Sequence, residues 1–209
     1  MKTLRFVKPV AVLTICLALC LMLPAQEQGC IETSALGKMA GATSVATLNA
    51  RKEKAGDSYR AQVVYAARMM EIDPNNRSAA ELLLNLIPKN IDGPQQDLWL
   101  ELDELNQCPS GGLADSDLMP LFRLQYHLPR ILARAVLLVP DKMPEYVAYA
   151  YISIQSPDSD YAVQMQEVCR AKHQAFVNAV AKMSDDDRKW FLAKIFNPKG
   201  CHALALPEQ

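Results

Sequence analysis

A proline set between two stretches of helical period constrains this chain more than any other feature. In "SYRAQVVYAARMMEIDPNNRSAAELLLNLIP", Tyr59, Val63, Ala66 and Met70 fall on one face at the 3.6-residue period. The helix they predict starts at Asp57 or Ser58 and stops at Asp73-Pro74, because a residue before proline resists the helical conformation. Four residues later Ser78-Ala-Ala-Glu81 has the form of a capping box, which predicts a second helix running to about Pro88. Two short helices joined by a tight polar turn must pack on each other or on a third element, since neither is stable alone.

The same reading extends over most of the chain. Residues 31–47, rich in Ala, Gly, Ser and Thr, read as a lead-in with some helical character. Leu98, Leu102 and Leu105 recur at helical spacing after Gly93-Pro94, and "CPSGG" closes that segment. Ser116 is placed to cap "DLMPLFRLQYHLPRILARAVLLVP", a long helix expected to kink or break at Pro129. "PEYVAYAYISIQ" suits a helix by spacing and a strand by its Tyr and Ile content. Tyr161, Met165, Val168, Phe176, Val180 and Met183 draw one stripe along a helix of about 158–183. Ser184 and the acidic run after it open a last helix ending near Phe196. No hairpin signal stands out. The expected fold is all-α: a compact bundle of about eight helices held by two disulfides.

The disulfides follow from the start of the chain. Lys2, Arg5 and Lys8 precede the apolar run Val10 to Leu23, and "LPA" ends it, the three-part pattern of a secretory signal peptide over residues 1–25. The run falls short of the ~20 residues that a membrane-spanning helix needs. Residues 26–56 then form the low-complexity lead-in, and 57–209 a single helical domain. Losing residues 1–25 takes the formal charge from −1 to −4. A mildly acidic exported chain lacks the basic face that nucleic acid requires, and it expects no membrane contact once the signal is removed. Its location is periplasmic or secreted, in a bacterial cell envelope. Four cysteines remain there: Cys30, Cys108, Cys169 and Cys201. An oxidising compartment pairs them, and of three pairings Cys169–Cys201 with Cys30–Cys108 ties both ends of the chain to the bundle.

Glu71, Ile72, Asp73, Pro74, Asn75 and Asn76 also carry a resemblance. Residues 58–87 resemble a helix joint of the tetratricopeptide-repeat family, whose units meet at an acidic-aliphatic-Asp-Pro-Asn-Asn turn. The resemblance implies a groove for a peptide or a partner helix. Its pattern does not return at Pro109, 35 residues after Pro74, where an array would repeat it. Asp-Pro-Asn-Asn equally suits any tight turn between helices.

Among candidate sites, Arg123, His127, Arg130 and Arg134 form a basic stripe on the long helix, fit to hold an anionic ligand or acidic partner. Asp97, Glu101 and Glu104 form an acidic stripe of the same period, so solvated faces or internal pairing are the alternatives. Cys169, His173, Cys201 and His202 have the chemistry of a zinc site, but their spacing matches no finger pattern and export favours a bridge over free thiolates. No Gly-rich phosphate loop, zinc-protease motif, nucleophile elbow or EF-hand loop occurs, so no catalytic residue, metal or cofactor is assigned. The chain reads as a non-enzymatic binding or structural protein that engages a protein partner through helix faces. A repeat-like peptide scaffold, an envelope enzyme or an inhibitor are the alternatives.

Overall fold

A computed structural model describes residues 33–87, 115–154 and 159–204. These form nine α-helices and one two-residue strand pair. The helices are α1 (33–40), α2 (Val45–Ala55), α3 (Tyr59–Ile72), α4 (Arg77–Leu86), α5 (Asp115–Leu138), α6 (Met143–Ser153), α7 (Asp160–Ala171), α8 (His173–Val180) and α9 (Asp185–Trp190). The strands are β1 (Phe196–Asn197) and β2 (His202–Ala203), antiparallel, with Phe196 opposite Ala203. The fold is thus mostly helical. The acidic stripe at 97–104, the leader and Cys30 and Cys108 lie outside the described residues.

The 24-residue α5 is the spine. It packs on α3 and α4 along one side and on α7 along another, while α6 closes the bundle against α7 and α8. Leu124, Leu128, Leu132, Ala135 and Val136 of α5 are fully buried, in one continuous core with Val63, Leu83, Val147, Met165 and Phe176. Removing such a side chain from water contributes about 1.5–3 kcal/mol each. Leu36, Met39 and Leu48, from the lead-in, are also fully buried in that core. Gly56 turns α2 into α3 at φ 75°, a backbone conformation that suits glycine.

Local differences from the sequence reading have physical reasons. Ser58 and Ser184 cap α3 and α9 as read, accepting from the Ala61 and Asp187 amides. The cap of α4, however, is Asn76 and not Ser78: Asn76 Oδ1 accepts from Ala79 N at 2.9 Å, and the helix starts two residues sooner. Glu81 reaches Arg77 at 3.0 Å instead of closing a capping box. α5 runs unbroken through Pro120 and Pro129. Pro129 removes the amide partner of the Gln125 carbonyl, but Gln125 is exposed and water can serve it. The ambiguous stretch from Pro144 is helical as far as Ser153, in α6, and residue 155 lies outside the described residues.

The single helix expected over 158–183 is two. It breaks at Lys172 (φ −135°, ψ 49°), so that α7 can pack on α5 and α8 can turn onto α6. The last helical stretch ends near Phe196 as expected, but its final part, Phe191–Ile195, is a wide π turn, and it leads into the hairpin that sequence patterning did not signal. Gly200 sits in that hairpin's turn, where a Cβ would lie 2.5 Å from the His202 ring.

Candidate functional site

The basic stripe and the helix joint meet face to face. His127 Nδ1 lies 2.6 Å from Glu71 Oε1, and Arg68 pairs with the same carboxylate from within α3. Seven residues on, Arg134 Nε donates to the Pro74 carbonyl at 2.9 Å and Nη2 to Asn75 Oδ1 at 3.2 Å. From the other side, Arg77 Nη1 donates to the Leu138 carbonyl at 3.1 Å, on an otherwise open C-terminus of α5. The Asp73–Asn76 turn closes on itself: Asn75 N and Asn76 Nδ2 both donate to the Asp73 carboxylate. His127 and Arg134 are therefore struts between the joint and the spine.

Arg123 and Arg130 differ. Both are exposed, and neither has a hydrogen-bond or ion-pair partner among the described residues. The helical repeat explains the division: at about 100° per residue, 123 and 130 lie about 40° further round α5 than 127 and 134. Met119 and Tyr126, on the same outward side, are among the most exposed large apolar residues described.

Beside the joint an open groove of about 610 Å³ runs between α5 and α7. Arg130, Arg134, Asn75, Gln164 and Glu167 supply its polar groups; Ala133, Leu137, Leu138 and Val168 supply its apolar ones. Such a surface can pair a carboxylate with Arg130, hydrogen-bond an extended backbone through the two side-chain amides, and bury small apolar side chains. Glu167 sets the sign at the far wall, disfavouring an anion there.

Two further groups complete the survey. Tyr146 and Tyr161 carry phenols driven well above their usual range, chiefly by burial and secondarily by Glu167 and Tyr149 respectively. The Tyr146 hydroxyl has no hydrogen-bond partner among the described residues. Tyr59 is pushed up to about 12, mainly by burial, while it donates to the Leu86 carbonyl at 2.8 Å. Cys169, directly after the groove residue Val168, forms a disulfide with Cys201, one of the two bridges expected, with Cα atoms 5.6 Å apart. A nitrogen of His173 and both sulfurs lie within 4.8 Å of one another, and His202 is outside that group.

The sequence reading placed all four stripe residues in one binding surface. It missed Asn75, Gln164 and Glu167, because α7 meets α5 only through tertiary packing. Searches for related proteins returned no matching family model, no matching curated protein and no matching solved structure.

Proposed function

We propose that this chain is an exported, non-enzymatic binding protein that takes an acidic, extended segment of a protein partner into the groove between α5 and α7. One observation supports the reading above others: Arg130 stands exposed and unpartnered among the described residues, at a groove whose other arginine is already committed to the joint. Arg130 pairs with a carboxylate of the incoming segment, Asn75 and Gln164 serve its backbone, and Leu137 and Val168 take an apolar neighbour. The joint resembling a tetratricopeptide unit is then the rigid wall of a peptide site. Among the described residues no helix is long and apolar enough to cross a membrane.

The reading includes export by removal of residues 1–25 and a second bridge between Cys30 and Cys108. Intact-mass and non-reduced peptide mapping of the protein from an envelope fraction tests both; a full-length mass with free Cys30 and Cys108 overturns them. The groove is tested by fluorescence titration with a labelled peptide alternating Asp or Glu with small apolar residues, against its Lys-substituted counterpart. The acidic peptide binds, weakens at least roughly tenfold in Arg130→Glu, and weakens with added salt. Equal binding of both peptides, or an unaffected Arg130→Glu variant, overturns the groove assignment.

A further inference from the structure

The C-terminal part of the chain gathers two sulfurs, an imidazole and a carbonyl oxygen. Cys169, near the end of α7, is fully buried; His173 begins α8 and is exposed; Cys201 ends the turn between the strands and is 6% exposed. The Pro198 oxygen lies 3.0 Å from His173 Nε2 and 3.5 Å from each sulfur. Cys201 holds φ 48°, a left-handed backbone that most side chains avoid. Chain from three separate elements thus converges on a volume smaller than a side chain.

We propose that this cluster is a redox-gated metal site: closed when Cys169 and Cys201 are bridged, and a site for a soft divalent cation, Zn²⁺, when a dithiol has reduced them. Cys169, Cys201 and His173 would be the ligands. With zinc–ligand bonds of about 2.0–2.3 Å, a tetrahedral set needs edges of about 3.6 Å from sulfur to oxygen and about 3.4 Å from nitrogen to oxygen. The distances to Pro198 O already approach these, so its carbonyl, or water entering beside exposed His173, completes the set. The sulfurs need to part only to roughly 3.8 Å.

The chemistry balances. A dithiol gives two electrons and two protons to the disulfide; the protein S–S bond breaks, two thiols form, and the reductant closes into its own disulfide. Zinc then displaces both thiol protons to solvent and binds two thiolates and a neutral imidazole. None of the three ligands lines the Arg130 groove, although Cys169 directly follows Val168, which does.

Titration of the phosphine-reduced protein with Co²⁺ under nitrogen, followed by Zn²⁺, tests the proposal. One equivalent of Co²⁺ should produce thiolate-to-cobalt absorption and tetrahedral d–d bands, both lost on adding Zn²⁺. The oxidised protein should show neither. His173→Ala, which leaves all the cysteines in place, should weaken binding roughly tenfold or more and keep the circular dichroism of the oxidised protein. Cys201→Ser, which leaves Cys169 as the one cysteine ligand, should weaken binding and lower the thiolate band. Absence of that band, binding equally strong in His173→Ala, or loss of helical signal on reduction that zinc does not restore would each overturn the proposal.

Discussion

Two regions of this molecule are held by different forces. At the helix joint, α3, α4 and α5 are tied by polar struts: His127 and Arg68 on Glu71, Arg134 on the Pro74 carbonyl, and Arg77 on the end of α5. In the C-terminal region, Phe176 and Phe191 pack at 5.3 and 5.9 Å on Phe196, all fully buried, and Cys169 is bridged to Cys201. Polar struts fix direction, because each bond has one good geometry. Aromatic packing supplies more free energy but less orientation, and the disulfide adds a covalent tie of fixed geometry.

That contrast can be broken most sharply at Phe196. Phe196→Ala leaves a cavity between two rings and should cost about 3–5 kcal/mol in urea unfolding, with the groove's peptide affinity unchanged. Reducing Cys169–Cys201, which closes a loop of sequence separation 32, should cost about 3–4 kcal/mol by the chain-entropy relation in the absence of metal. Glu71→Gln strips the shared partner of Arg68 and His127; a loss of about 2 kcal/mol is expected, now with a measurable drop in peptide affinity as the joint loosens. A loss in Glu71→Gln as large as in Phe196→Ala, with binding intact, would dissolve the distinction. The smallest effects sit at the cap: Asn76→Ala should cost about 1 kcal/mol, and Ser78→Ala should stay within about 0.5 kcal/mol.

The joint was the most legible part of the sequence. Ser58, Asp73-Pro74 and Ser184 act through short-range chemistry that residue order displays directly. The choice of Asn76 over Ser78 was not legible, since either side chain can cap and only the entry of the chain into α4 decides. The break at Lys172 was invisible for a different reason: the apolar stripe over 158–183 keeps its period while the surface it packs on changes from α5 to α6. The basic stripe was legible as a stripe and not as a division of labour. A turn of about 40° separates Arg123 and Arg130 from His127 and Arg134, and the meaning of that angle depends on where α3 and α4 come to rest. Gln164 and Glu167 carried no local signal, as they join the groove only once α7 is docked.

Two prolines lie inside α5, the longest helix among the described residues. Each forbids one amide bond and penalises helix growth at its own position, so this segment has poor prospects as an autonomous nucleus. Its unbroken run therefore leans on its neighbours, and it is expected to consolidate around partners already assembled. A synthetic peptide of residues 115–138 should accordingly be coil by circular dichroism in water. Independent helicity in that fragment would make the backbone the organiser of the bundle instead of its last recruit.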